Sequence, residues 1–264
     1  MTDAPVLARL LAQFDGVTRA VVAFSGGADS SLVLAAAVRA LGRERVVAVT
    51  ATSPTYLEEE LAAARSVAAS LGVDHRVVET REFDDPRFVQ NPRERCYWCK
   101  AGLLDELERV AAPGGARVVD GANADDVGDH RPGMRAAAER GVLQPLLAAG
   151  IGKAEVRRLA RDLGLPTWDA PQQACLASRV PYGEPITVEK LAAVAAAEKA
   201  LRALGFRQCR ARHHGAVARL EVEPSQLGRA LDLREDIARA VHDAGFTYVA
   251  LDMDGFRTGS MNEA

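Results

Sequence analysis

Four short apolar runs in the first half of the chain leave it few choices of fold. "RAVVAF" (19–24), "RVVAVTA" (45–51), "HRVVET" (75–80) and "ARVVDGA" (116–122) are nearly continuous in β-branched and aliphatic residues. A strand with one wet face alternates polar and apolar positions, whereas one covered on both faces does not, so these runs predict a parallel sheet buried between helices. Ala/Leu-rich stretches at about 30–41, 57–71 and 99–111 separate them and supply the crossover helices. Repeated strand–helix–strand units of this kind wind right-handedly into an open, doubly wound α/β sheet. Ligands of such sheets gather beyond the carboxyl ends of the strands.

The pattern changes past the middle. "GKAEVRRLARDLGLP" (152–166) reads as one more helix, with Val156, Leu159, Ala160 and Leu163 on one stripe and Gly164 and Pro166 as stop signals. A Pro/Gly-marked stretch, "TWDAPQQACLASRVPYGEP", follows. After it we expect a smaller α+β domain: a helix from Thr187, as N-cap, to about 204, strands in "FRQCRARHHG" and "AVARLEVE", a helix over about 225–244, and a last strand "TYVALD". The expected division is 1–180 and 181–264, with a frayed end in "RTGSMNEA".

The first run opens onto "SGGADSS". Gly26 and Gly27 let the backbone turn tightly with its N–H groups inward, and Asp29-Ser30 begin a helix whose positive end faces the turn. Together with the hydroxyls of Ser25 and Ser30 this suits a phosphate or pyrophosphate. It lacks the Gly-Lys-Ser/Thr of a Walker A loop and the spacing of a Gly-x-Gly-x-x-Gly turn. The plain alternative is a strand-to-helix turn that merely uses glycine. "GANADDVGDHRPG" (121–133) lies after the fourth run, where Asn123, Asp125 and Asp126 suit either nucleotide and metal contacts or turn capping.

Cysteine usage sets the second question. Four cysteines in 264 residues make no disulfide scaffold. The start, "MTDAPVLARLLAQFDG", reads as an amphipathic helix rather than a targeting segment, because Asp3 stands where a signal would be basic. No apolar run approaches the ~18 residues that cross a bilayer. A reducing, cytoplasmic setting is therefore expected. There Cys96 and Cys99, in "RERCYWCKAG", sit among cations at a predicted helix start, which favours thiolate. As a pair they suit a redox couple, half of a zinc site or half of an iron–sulfur site, and neither a thioredoxin-type strand nor a second Cys-x-x-Cys adjoins them. Cys175 lies in a shaped polar loop, and Cys209 in a strand-like run that suits a small core residue.

"SGGADS" after the first strand resembles the PP-loop of the ATP pyrophosphatases. "PLLAAGIGKAEVRRLA" resembles that superfamily's second element, which places Lys153 toward the phosphates. With "RCYWCK", "QQACLASRVPYGEPIT" and "ARHHGAVARLEVEP" added, nearly the whole chain resembles the LarE family of ATP-dependent sulfur transferases. The resemblance implies that ATP and Mg²⁺, the latter held by Asp29, adenylate a carboxylate of a small substrate, pyridinium-3,5-biscarboxylic acid mononucleotide. Sulfur then displaces AMP, on the way to the nickel-pincer nucleotide cofactor of lactate racemase. Catalysis falls to Cys175 and Asp29, and nucleotide binding to Ser25, Gly26, Gly27, Asp29, Ser30 and Lys153.

Some members of the family sacrifice the sulfur of the cysteine matching Cys175. Others carry a Cys-x-x-Cys as well and hold a [4Fe-4S] cluster on three thiolates, here Cys96, Cys99 and Cys175, leaving one iron open to an exogenous sulfide. The presence of Cys96 and Cys99 favours the cluster form. Arg210 and Arg212, two apart on one strand face, suit the substrate's phosphate, with Glu221 following in the next strand. The family also implies a homo-oligomer. A tRNA thiolase and a non-catalytic nucleotide-binding module are the rivals. The net charge of −3 and pI near 6.0 argue against a nucleic-acid partner, whose capture needs a broad basic surface.

Overall fold

A computed structural model describes residues 4–54, 56, 58–127, 132–171 and 175–257. The expected frayed end, from 258 onward, lies outside the described residues. Contacts divide the chain into two compact units. Pro86–Arg93 folds with Pro171–Ala264, and the remainder of the first 170 residues, apart from Pro54–Tyr56, forms the other.

In the first unit β1 (Ala20–Ala23), β2 (Val46–Thr52), β3 (Asp74–Glu79) and β4 (Arg117–Val119) form one sheet in the order β3-β2-β1-β4, every pairing parallel. Helix α1 (Ala4–Ala12) precedes β1; α2 (Ala28–Leu41), α3 (Glu58–Leu71) and α4 (Arg95–Ala111) fill the connections, and α5 (Pro132–Glu139) and α6 (Lys153–Asp162) follow β4. Successive strand residues serve opposite faces, as strand geometry requires. Ala20, Val22, Val46 and Ala48 pack with Leu32 and Val33 of α2, Val67 of α3 and Val156 and Leu159 of α6. Val21 and Val49 pack with Leu104, Leu107 and Ala111 of α4. The apolar runs of β1 and β2 are thus explained, since both faces are covered and the sheet is doubly wound; β3, at the sheet edge, has no buried residue, and its Val77 is 40% exposed.

In the second unit β5 (Cys209–His214) pairs antiparallel with β6 (Val217–Val222), which pairs parallel with β7 (Tyr248–Leu251). Helix α7 (Val188–Ala203) is capped by Thr187, whose hydroxyl accepts the Lys190 N–H at 3.2 Å. The single helix expected over 225–244 is two, Leu227–Asp232 and α8 (Arg234–Asp243), broken at Leu233. Ala230 of the first piece and Ile237 and Val241 of the second are buried.

Among the described residues no helix is long and apolar enough to cross a membrane.

Candidate active site

The turn after β1 is shaped by its glycines and tied by its serines. Gly26 has φ +77°, and a Cβ there would lie 3.0 Å from the Cα and Cβ of Ala64 in α3, so only glycine fits. The Ser25 and Ser30 hydroxyls lie 3.1 Å apart, Ser30 Oγ donates to the Gly27 carbonyl at 3.2 Å, and the Gly27 N–H reaches Ser25 Oγ at 3.4 Å. Gly27 is the N-cap of α2 and offers no side chain to its first N–H groups, which leaves that end of a fourteen-residue helix for an anion.

Asp29 stands in the first turn of α2. Its carboxyl is pushed above the usual range, chiefly by burial; the Lys153 ammonium opposes this, Asp126 adds to it, and a bond from Asn123 and the charge of Arg157 oppose it further. A carboxylate that is costly to ionise in the empty protein suits a cation-binding role, because a divalent ion restores the charged form. Asp29 therefore fits the Mg²⁺ that ATP chemistry requires. A carboxyl raised on folding stabilises fully below the ordinary carboxylate pKa, and that contribution is lost as pH rises through the raised value. Asp29→Asn is accordingly expected to raise the thermal midpoint of the nucleotide-free protein near pH 8. The same change should cut Mg²⁺-dependent pyrophosphate release about 100-fold, as loss of a preorganised electrostatic group does. Calorimetry and a pyrophosphate assay check the two halves.

The loop after β4 braces this edge from the far side. Asp125 accepts the Lys153 N–H at 2.7 Å, and its carboxylate packs so closely on Gly152 that a Cβ there would lie 2.8 Å away. Asn123 and Asp126 close a capping box on one another's backbone. These three residues thus cap turns and seat Lys153, which begins α6. Ser25, Gly26, Gly27, Asp29, Ser30 and Lys153 come together at the carboxyl edge of the sheet.

Helix α4 begins at Arg95, earlier than the sequence suggests, so Cys96 falls in its first turn and Cys99 opens the second. Cys96 is exposed and Cys99 half-buried. Spaced by three, they share one helix face. Lys100, the next residue, pairs with the buried Asp120 at 2.8 Å, and Gln144 bonds the same carboxylate at 3.1 Å. This fastens the cysteine turn to the end of β4. Beyond it, Gly121 packs against the Ser30 N–H, 3.1 Å from where a Cβ would be. Two thiols are what this helix offers. Among the described residues no three or more His, Cys, Asp or Glu side chains form a metal-holding group.

In the second unit Cys175 is exposed and precedes the 3₁₀ turn Leu176–Arg179. Its carbonyl accepts from Arg179 Nη1 at 3.0 Å, and the same guanidinium forks onto Glu198 at 2.7 and 3.0 Å. Ser178 offers its carbonyl to Arg212 Nη1 at 3.0 Å, and Arg212 forks onto Glu221 at 3.0 and 2.8 Å. Arg219 bonds Glu221 as well, at 3.2 Å, and Asp252 at 2.7 Å. Glu198 Oε1 also accepts the Ala211 N–H of β5, which joins the two ion-paired groups. Burial pushes the Arg210 guanidinium down to about 10, helped by the like charge of Arg179, and its head lies over the Phe256 ring. Cys209 is core, its thiol pushed up to about 11 by burial.

The sequence left Arg179, four residues past Cys175, either steadying an adenylate or lying in solvent; its guanidinium is buried, and Glu198 was passed over. The signal for Glu198 was present: a carboxylate on the same stripe of α7 as the buried Leu191, Val194 and Leu201 needs a buried cation.

Fold and turn together define an ATP-using α/β enzyme of the PP-loop type. The NAD synthase family profile matches residues 7–91, covering β1, the glycine turn, α2, β2, α3 and β3. An uncharacterized protein of Synechocystis is 45% identical over 96% of this chain and 95% of its own length. The pyridinium-3,5-bisthiocarboxylic acid mononucleotide synthase of Lactiplantibacillus plantarum is 39% identical over 97% of this chain and 93% of its own. The chain belongs to the LarE family, that of this synthase, and is an ATP-using sulfurtransferase.

Proposed function

We propose that the protein inserts sulfur into pyridinium-3,5-biscarboxylic acid mononucleotide for nickel-pincer nucleotide cofactor biosynthesis. The name and full-length similarity of the Lactiplantibacillus relative carry the substrate. The single structural observation that carries the chemistry is the glycine turn with Asp29 and Lys153 at one sheet edge. A carboxylate oxygen of the substrate attacks the α-phosphorus of ATP, the bond to pyrophosphate breaks, and an acyl-adenylate forms. The turn and Lys153 hold the departing pyrophosphate; Mg²⁺ on Asp29 would offset its charge. Sulfide sulfur then bonds the acyl carbon, AMP leaves with the bonding pair, the sulfide proton goes to solvent, and a thiocarboxylate remains. Where Cys175 Sγ itself attacks, a thioester forms and its Cβ–Sγ bond breaks with loss of the α-proton, leaving dehydroalanine and the same product.

Cys175 presents the sulfur. Cys96 and Cys99 have no use in a route that consumes Cys175 alone, which supports a [4Fe-4S] cluster that these two and Cys175 would hold and that would supply a site for exogenous sulfide. Arg210 and Arg212 receive the substrate's phosphate, and Glu221 holds the Arg212 guanidinium. The buried, desolvated Arg210 supports this, since an anion relieves its burial cost. In this reading 1–180 works on ATP, and 181–264 binds substrate and assembles copies of the chain. The net negative charge supports a small-molecule substrate over a polyanion.

The test supplies ATP, Mg²⁺, sulfide and the mononucleotide anaerobically and follows pyrophosphate and substrate mass. The expected result is pyrophosphate release that depends on the mononucleotide and one sulfur-for-oxygen exchange at each carboxylate. Pyrophosphate release without sulfur gain, or none at all, overturns the assignment.

A further inference from the structure

Behind the glycine turn lies a polar contact that none of the roles above uses. Phe24, the residue before Ser25, is held at both backbone ends: its N–H donates to the Val49 carbonyl at 2.8 Å, and its carbonyl accepts from Thr50 Oγ1 at 2.6 Å. Thr50 is 1% exposed. The same hydroxyl lies 2.8 Å from His75 Nε2 on β3, and the His75 ring meets the Phe24 ring edge-on, with centroids 5.9 Å apart.

Proton placement follows from donor chemistry. The Phe24 carbonyl can only accept, so the one hydroxyl proton of Thr50 goes to it, and Thr50 Oγ1 must accept from His75. His75 therefore carries its proton on Nε2. Burial holds the ring below the ordinary histidine range, with Arg65 acting the same way and Asp74 against, which agrees with a neutral ring in that tautomer.

We propose that Thr50 and His75 are positioning residues for the phosphate turn, fixing the Phe24 carbonyl so that the N–H groups from Gly26 onward converge on the β- and γ-phosphates. The rigidity argument is local. Ser25 and Ser30 tie the turn to itself and Gly26 seats it on Ala64; the peptide that enters it is held by its N–H on Ser30 Oγ at 3.3 Å and by its carbonyl on the shorter bond from Thr50. The Thr50 hydroxyl is in turn held in its rotamer by His75 across the neighbouring strand. A hydrogen bond of this kind is worth little in overall stability, but a misplaced donor array loses binding directly.

This inference rests on the ATP reading, and the test separates the two. Affinities for Mg·ATP and for AMP, which lacks the β- and γ-phosphates, are measured for the wild-type protein and for Thr50→Val, Thr50→Ser, His75→Phe and His75→Gln, with thermal midpoints alongside. We expect Thr50→Val to weaken ATP about fivefold and His75→Phe about threefold, with AMP changed less than about twofold in each. Thr50→Ser and His75→Gln, which keep the hydroxyl and an N–H donor, should stay within about twofold of wild type for both nucleotides. A merely structural role would shift midpoints or lower both nucleotides together, and either equal losses or no loss in folded Thr50→Val and His75→Phe overturns the proposal. His75→Phe keeps the ring and sits on a half-buried edge, so it decides alone if Thr50→Val does not fold. A wild-type protein that binds no ATP removes the reading beneath it and this inference with it.

Discussion

Replacing Cys175 with alanine is expected to cut sulfur transfer by at least about 100-fold while ATP-dependent pyrophosphate release stays within about threefold of wild type, since a group used only in the second step should leave the first intact. The reasoning is positional. Cys175 is exposed at the head of a 3₁₀ turn whose backbone is secured through Arg179 to the buried Glu198. An exposed thiol on a secured backbone can meet a substrate without refolding. The Asp29 turn, where adenylation is assigned, contains no cysteine. Cys96→Ala and Cys99→Ala then divide the sulfur routes. Equal loss in all three variants, with iron and acid-labile sulfide in the anaerobic wild-type protein, supports the cluster form. Loss in Cys175→Ala alone, with a mass change at Cys175 after one turnover, means the thiol is consumed. Full sulfur transfer by Cys175→Ala removes Cys175 from the mechanism altogether.

The sheet was legible because its signal is local. The first two runs are covered on both faces, and the packing of Val21 and Val22 into opposite layers is what a non-alternating run demands; the third, read the same way, lies at the sheet edge and has no buried residue. The turn was legible for a related reason: glycines, serines and an acid in fixed order at a strand end have few other uses. Contacts formed across long stretches of sequence left less trace. Pro86–Arg93 folds with the second unit because the Asn91 amide donates to the carbonyls of Val180, Pro181 and Glu184, and its own carbonyl accepts from Gly183. Nothing near Asn91 in sequence announces partners about ninety residues away. Arg179 is the intermediate case. Its closeness to Cys175 was visible, but its orientation is fixed by Glu198 on a helix nineteen residues on. Pairing partners of buried ions are read from the interior, whereas periodicity reports only which positions reach it.

Glu221→Gln should lower stability by about 3–5 kcal/mol, the usual cost of breaking one side of a buried ion pair. For a protein of this size that is a fall of roughly 6–20 °C in thermal midpoint. Glu221 is fully buried and the Arg212 side chain is 6% exposed, so neither charge can turn to water when its partner goes. Arg219 adds to the effect by losing one of its two carboxylates, although Asp252 still holds it. The double replacement Arg212→Met, Glu221→Met removes both charges and should recover most of the loss, because well-packed apolar side chains often match a buried pair in stability. Recovery of folding should not bring recovery of function. If Arg212 grips the substrate's phosphate, the double variant will be folded and will still release little pyrophosphate at substrate concentrations that saturate the wild type. A double variant that is both stable and fully active would reduce the pair to scaffolding and move the phosphate site to Arg210, where a buried guanidinium pushed down to about 10 stands ready for an anion.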